Sequence, residues 1–282
     1  SLYGQLPGLG IMQNSGEVDK ANYNLYIRGV ATTTASQASS GAARKVLTLV
    51  DGLPTDISLL DPNEIESVSI LKDAAATAIY GLRGANGVVL ITTKRGIKQK
   101  TRISFSVQTS TESPTVIRKP VPGDEYAKLY HEAYLTDGNA APVYPDAQIA
   151  YYMEKNDTNK YRYPNVDWYG MIVDDATTLT RYNLNLNGGI ENAKYFISVG
   201  YVSENGIFKP DKSVNTYSTN NSFDRYNFRL NLDLKITRTL DVLFSFNGLF
   251  DNKIQAGNAD ATDIFRAILN TTPVAFPALQ KD

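Results

Sequence analysis

Residues 66–96 read ESVSILKDAAATAIYGLRGANGVVLITTKRG, and this stretch decides the fold of the first third of the chain. Val68 and Ile70 alternate with polar neighbours, as in a half-buried strand. Asp73 is placed to cap a helix over Ala74–Tyr80, and Gly81 to end it where φ turns positive. Gly84, Asn86 and Gly87 make a tight loop into a buried strand, Val88–Ile91. The unit carries no Cys, no His and no paired carboxylates, so it offers a small rigid body with a polar loop rather than a catalytic site.

Working outward, strands are expected at Asn24–Arg28, Lys45–Val50, Ser67–Leu71 and Val88–Thr93. Ala31–Ala43 is rich in Ala, Ser, Thr and Gly and reads as a loop. Asp61-Pro62-Asn63-Glu64 supplies a cap, a first-turn proline and an acidic residue three along, so a short helix should start there.

Beyond the charged connector 98–102 the pattern changes to period two. Ile103, Phe105 and Val107 alternate with Ser104, Ser106 and Gln108. The clearest case is Arg225–Ile236, where Tyr226, Phe228, Leu230, Leu232, Leu234 and Ile236 alternate with Arg225, Asn227, Arg229, Asn231, Asp233 and Lys235. A three-residue turn, Thr237–Thr239, pairs 236 with 240 and 226 with 250, which puts Leu240, Val242, Phe244, Phe246 and Phe250 on the same apolar face. Eleven residues at ~3.3 Å rise and ~40° tilt span roughly 28 Å, enough for the ~25 Å apolar band of an outer-membrane barrel. A second hairpin sets Leu184 against Val199 and Leu186 against Ile197 across the turn Ile190–Ala193, with Tyr182 opposite Tyr201. Both aromatic ends point to the long connection Ser203–Asp224, so short turns lie on one side and long loops on the other. That polarity places the turns in the periplasm and the loops outside. The first long loop, from Glu112 to about Thr177, should hold a helix over Asp124–Asp137 with Tyr126, Leu129, Tyr130, Ala133 and Tyr134 on one apolar face. A second helix is expected at Ala261–Leu269.

Composition narrows the function classes. Net charge is −1, which leaves no basic stripe for nucleic acid. The absence of Cys excludes disulfides and thiol catalysis. Tyr outnumbers Phe and Trp (18, 10 and 1), as suits strands with one wet and one apolar face. No apolar run reaches the ~18 residues of a membrane helix, which barrel strands do not need. The start, Ser1-Leu2-Tyr3-Gly4, has no signal-peptide features, and the chain reads as an internal piece beginning inside a plug.

The stretch 66–96 closely resembles the plug signature of SusC/RagA-type TonB-dependent outer-membrane transporters. The resembling residues are Ile70-Leu71-Lys72-Asp73, Ala78-Ile79-Tyr80-Gly81, Arg83, Asn86-Gly87-Val88 and Ile91–Gly96. Leu6-Pro7-Gly8 through Asn14-Ser15-Gly16 to Ile27-Arg28-Gly29, and Val50-Asp51-Gly52-Leu53-Pro54, fit the same family. The resemblance implies an α/β plug domain over 1–97, lacking its N-terminal part, followed over 98–282 by antiparallel transmembrane strands of an incomplete β-barrel, about five in number. It implies active nutrient import through a barrel of about 22 strands. The substrate would be a glycan or peptide, delivered by a SusD-like surface lipoprotein. The TonB–ExbB–ExbD complex would drive displacement of the plug, with outer-membrane lipid around the wall. No cofactor, metal or covalent chemistry is expected. The signature residues carried over are Arg28, Gly29, Asp51, Gly52, Lys72, Asp73, Tyr80, Gly81, Arg83, Asn86 and Gly87. The 31–44 loop with Arg44, the Ser58–Pro62 region and the tip Leu82, Arg83 and Asn86 are expected to face substrate. Arg28 and Arg83 are candidates for ion pairs with the wall, Glu64 and Glu66 being possible partners within the chain.

Other readings are weaker. A soluble β-sandwich, serving as a glycan-binding or adhesion module, also alternates, but its strands run shorter. A hydrolase lacks the nucleophile elbow. His131, the sole histidine, has no partner ligands. Asp251, Asp260 and Asp263 with Asn252 and Asn258 lack calcium-loop spacing. The acceptor patterns at Asn156, Asn220 and Asn270 arise by chance in an Asn- and Thr-rich chain. The glycines at 81, 84 and 87 follow a helix instead of leading into one, so they cradle no phosphate.

Overall fold

The computed structural model describes residues 9–13, 23–27, 46–115, 119–140, 143–154, 161–210, 218–255, 257 and 261–278. Two compact units result. The first combines Ser1–Ser110, Leu179–Glu204 and Ser222–Lys253, and the second Thr111–Thr178, Asn205–Asn221 and Ile254–Asp282.

In the first unit, β1 (Leu9–Gln13) and β2 (Tyr23–Ile27) form a two-stranded antiparallel sheet. A four-stranded mixed sheet follows, in the order β4-β3-β6-β5, from β3 (Leu47–Val50), β4 (Leu53–Pro54), β5 (Ile65–Leu71) and β6 (Val88–Thr93). β3 runs parallel to β6, and β5 runs antiparallel to it. Ile27, Val46, Val50, Val89 and Ile91 make the core of this body, with Leu9, Leu25, Ile57, Leu60, Ile65, Val68 and Ile70 packed around it.

The helix expected over Ala74–Tyr80 is shorter: α1 (Ala74–Thr77) gives way to a 3-10 stretch, Ala78–Gly84. The break comes at Gly81 (φ 57°, ψ −142°), inside the tightened turn. Asp73 occupies the cap position without a side-chain capping bond. Asp61 does cap, accepting from Asn63 N at 2.8 Å, but the helix it opens is a single 3-10 turn, Pro62–Glu64.

The wall is one antiparallel sheet of five strands in chain order: β7 (Gln99–Glu112), β8 (Thr177–Gly189), β9 (Ala193–Asn205), β10 (Ser222–Lys235) and β11 (Asp241–Ile254). The β8–β9 register is the expected one, with Leu184 opposite Val199, Leu186 opposite Ile197 and Tyr182 opposite Tyr201. The β10–β11 turn closes with Ile236 N donating to Leu240 O (3.0 Å).

This sheet is inside-out relative to a soluble one. On β10 the buried positions are Phe223, Asn227, Arg229 and Asn231, whereas Phe228 is 43% exposed. On β11, Phe244 is 48% exposed, and Phe105 on β7 65%. Among the described residues no second sheet covers this apolar face, so the β-sandwich reading fails. Burying Asn and Arg while exposing Phe lowers free energy only where the outer medium is apolar. A row of rings, Tyr182–Tyr201–Tyr226–Phe250, crosses four strands at centroid spacings of 6.0, 4.8 and 6.3 Å. Tyr201 Oη donates to Asp224 (2.7 Å) at that level, as a ring at a water–lipid boundary would.

The second unit holds α2 (Gly123–Thr136), α3 (Asp146–Met153), α4 (Trp168–Ile172) and α5 (Ala261–Asn270). On α2 the core-facing residue is Ala127, while Leu129 and Tyr130 are exposed, so the expected apolar face is rotated. Ala127 packs with Ile149, Tyr152 and Val274, and of the expected face Tyr126 reaches the edge of that core. The tyrosines also pack on one another, Tyr126 on Tyr130 and Tyr130 on Tyr144. Burial raises the pKa of Tyr144, and its neighbouring phenols add to the shift. Tyr169, Val173, Phe208 and Ile268 form a separate core. Asn220, one of the three acceptor-pattern asparagines, is engaged internally: it accepts from Phe208 N and donates to Gly206 O.

Candidate functional site

The site is a polar seam between the small α/β body and the inner face of the wall, all within the first unit. It is built by the pleat of β10. Every second residue points inward, and each meets a successive piece of the plug. Arg225 Nη1 donates to Ser58 O (2.8 Å). Asn227 Nδ2 donates to Glu64 Oε1 (3.0 Å), and Arg229 Nε to Glu64 Oε2 (2.7 Å). Asn231 Nδ2 donates to Thr93 Oγ1 (3.0 Å) and to Lys94 O (2.7 Å). Arg95 forks onto Asp233 at 2.5 and 3.0 Å. From β8, Asn183 reaches Asp61 (3.4 Å), and Asn187 receives Ile97 N and donates to Arg95 O.

The Glu64–Arg229 pair is the driest member, with side chains only 4% and 6% exposed. Arg229 also stands 4.0 Å from Asp51, so one wall guanidinium faces two plug carboxylates. The fork geometry of arginine suits this double duty, which an ammonium would serve poorly. The polarity reverses at the end of the seam, where the plug gives the cation Arg95 and the wall the anion Asp233. That carboxylate, through its hydrogen bond, raises the pKa of Arg95 further. The reversal of sign along the seam helps fix its register, since a slip by one inward residue sets neutral Asn231 against Glu64 or Arg95, and a slip by two can set Arg229 against Arg95 or Asp233 against Glu64.

Asp51 and Gly52 form the two-residue turn between β3 and β4, both with positive φ (48° and 86°). Such a hairpin turn accepts Asp-Gly because glycine tolerates that backbone and aspartate can adopt it. The Asp51 carboxylate then accepts from Thr93 N (3.0 Å) and Thr93 Oγ1 (2.6 Å). It thereby ties the turn to the end of β6, beside Arg229.

The chain leaves the plug at Gly96, pressed on the start of β9. A Cβ there would stand 2.6 Å from Lys194 C and 2.7 Å from Tyr195 C. Next to it Lys98 pairs with Glu191 in the β8–β9 turn, and that hydrogen bond holds the Glu191 carboxyl below its usual pKa. Gly96→Ala is expected to cost about 1–3 kcal/mol through this overpacking. It should appear as a lower urea midpoint for trypsin protection of the plug in the full-length protein. An unchanged midpoint would mean that the linker shifts freely.

Of the residues singled out from sequence, Asp51 joins the seam, and Gly52 completes the turn that presents it. Lys72, Asp73, Tyr80, Gly81, Leu82, Arg83, Asn86 and Gly87 lie together in the β5–β6 connection, away from it. Leu82 is 97% exposed, and Arg83 is exposed with no bond to a described residue. Gly87 (φ 92°) is buried against Ile27. Arg28, Gly29 and Arg44 lie outside the described residues, as does the 31–44 loop. Arg83 is therefore not the partner of Glu64. That role belongs to Arg229, and Glu66 is exposed. The sequence did show the inward row of β10 as polar, but not that its Asn, Arg and Asp residues form a bonding ladder. Among the described residues no group of His, Cys, Asp or Glu could hold a metal.

The family model for the TonB-dependent receptor plug domain matches residues 1–88. TonB-dependent receptor P26 of Formosa agariphila is 29% identical over 93% of this chain and 24% of its own length. TonB-dependent receptor SusC of Bacteroides thetaiotaomicron is 31% identical over 74% of this chain and 19% of its own. The chain thus spans about a quarter of the curated relatives' length or less. Among solved structures, it resembles the RagAB peptide importer in its open-open state, with TM-score 0.68 and 26% identity, covering 91% of this chain and 28% of that one. For the closed-closed state the TM-score is 0.71 at 25% identity, covering 97% and 31%. With a plug-domain match, an inside-out wall and these relatives, the chain belongs to the SusC/RagA family of TonB-dependent receptors, proteins of the outer membrane.

Proposed function

We propose that the protein containing this chain imports a nutrient across the outer membrane, with residues 1–97 as the gate and 98–282 as the first part of the barrel. The observation that carries this reading is the seam. A compact body is docked on the polar face of a sheet whose other face is apolar and exposed. Such contacts block a pore at rest and yield to a directed pull, because most are individually weak where water can replace them. The work comes from the TonB–ExbB–ExbD complex, and the protein itself performs no covalent chemistry. A SusD-like lipoprotein covers the outer mouth, where the long β7–β8 and β9–β10 connections lie. The substrate is an oligosaccharide or a peptide, the latter in keeping with the description of RagAB as a peptide importer. Arg44, Leu82, Arg83 and Asn86 contact it from the plug. Arg28, Gly29, Asp51, Gly52, Lys72, Asp73, Tyr80, Gly81 and Gly87 shape the plug itself.

The test is uptake by cells with and without the gene, each with and without TonB, on defined oligosaccharide and peptide mixtures. Import of one mixture that needs both genes supports the reading and names the substrate class. Import indifferent to TonB would overturn it.

A further inference from the structure

We propose that the short-turn end of the wall is a docking surface for anionic glycerophospholipid, whose phosphate headgroups in the inner leaflet seat on lysine and arginine side chains from three adjacent segments. The inference rests on an outer-membrane wall with its short turns toward the periplasm, and it goes beyond import itself.

Charge is unevenly placed along the chain. The start of β7 (97–102) and the β8–β9 and β10–β11 turns (189–195 and 234–241) carry Lys98, Lys100, Arg102, Lys194, Lys235 and Arg238 against two acids, Glu191 and Asp241. That is a local charge of +4 in a chain whose net charge is −1, so the surplus belongs to this end and not to the composition. The three segments are tied together. Lys98 pairs with Glu191, and Lys235 N donates to Asn192 O (2.9 Å). Glu191 lies in the field of Lys98, Lys194 and Lys235 together. One carboxylate among three ammonium groups leaves cationic charge over, and the paired Lys98 side chain is still 65% exposed. Lys235 and Arg238 are exposed as well.

Apolar side chains stand between these cations. Ile97, Ile190, Ile236 and Leu240 are 52%, 68%, 58% and 49% exposed. Ile236 and Leu240 end the outward rows that hold Phe228 on β10 and Phe244 on β11, so the cations begin where the lipid face stops. A bilayer meets both features at one depth: acyl chains reach the Ile and Leu side chains, and phosphates reach the ammonium and guanidinium groups. Lys and Arg stems lie along apolar surface while their heads extend to the phosphate level. An anionic headgroup accepts charge-assisted hydrogen bonds there. An ethanolamine headgroup brings its own ammonium among the lysines and so binds less. The attraction amounts to about a fivefold gain in affinity per cation. At the other end of the sheet the outward boundary is the aromatic row, where Tyr201 bonds to an acid, Asp224.

The test is titration of the detergent-solubilised full-length transporter with phosphatidylglycerol and with phosphatidylethanolamine of the same acyl chains, bound lipid being read by native mass spectrometry. Lys194→Gln/Lys235→Gln/Arg238→Gln removes three cations and leaves the Lys98–Glu191 pair intact. Lys119→Gln/Lys128→Gln/Arg266→Gln removes three exposed cations from the second unit and is the control. Heat-modifiable mobility checks that each variant is folded. The single variants Lys194→Gln and Arg238→Gln, each expected to lose about fivefold, keep the test decisive if the triple variant does not fold. Parent and control should bind phosphatidylglycerol about tenfold more tightly than phosphatidylethanolamine, with raised salt narrowing the gap, and the turn variant should bind both alike. No preference in the parent, a preference kept in full by the turn variants, or one lost equally in the control overturns the inference. So does retention on peptidoglycan sacculi that needs these cations and comes without a lipid preference, which would give the surface to the cell wall. None of these results bears on import, which the measurement does not read.

Discussion

Glu64→Ala should loosen the plug from the wall by about 3–5 kcal/mol, since it strips the Arg229 guanidinium of its hydrogen-bonded partner in a dry seam and leaves it only Asp51, at 4.0 Å. Asn227 loses its acceptor in the same change. The full-length transporter in a planar bilayer gives the readout: the parent is closed, and the variant shows open events. Cells carrying it should admit vancomycin, which an intact outer membrane excludes. Arg229→Ala should do similar damage by stranding Glu64. The double variant should be far less impaired than the sum of the two, because neither charge is then left alone. Closed channels in both single variants would show that the pair does not hold the gate.

Leu232→Arg is expected to cost about 2–4 kcal/mol, the cost of a cation on the lipid face near the middle of the bilayer. Leu232 lies on β10 between the aromatic row at Tyr226 and the turn after Ile236, at mid-depth by strand rise. Folded transporter, scored by its heat-modifiable mobility on gels, should fall, and the urea midpoint in liposomes should drop. Lys235→Arg, at the strand end, should be neutral. The contrast separates a lipid-facing wall from a water-facing one, where Leu232→Arg would cost nothing.

The wall was legible because its signal is local. Period-two alternation and turn length fix which residues pair, so Leu184–Val199 and Ile236–Leu240 could be placed without coordinates. The strand Val88–Thr93 was legible for the same reason. The seam was not. Asn227, Arg229, Asn231 and Asp233 are separated from Glu64, Thr93 and Arg95 by well over a hundred residues, and no period connects them. Glu64 was readable as a helix-start residue and as a possible partner for a plug arginine, but its burial against Arg229 depends on a surface that the local sequence does not contain. On α2 the face pattern failed because the tyrosines satisfy one another, leaving Ala127 to make the close contact. α3 and α4 are short and flanked by aromatic loop sequence, so periodicity had little to act on.

Arg229 touches two separate turns of the plug, the 3-10 turn carrying Glu64 and the hairpin corner carrying Asp51. Inheritance is constrained accordingly. A lineage that replaces this arginine must alter two distant acids as well, while a change in either acid alone meets a cation still claimed by the other. Positions 51, 64 and 229 should therefore drift as a trio, and a homologue with a neutral residue at 229 should lack both acids.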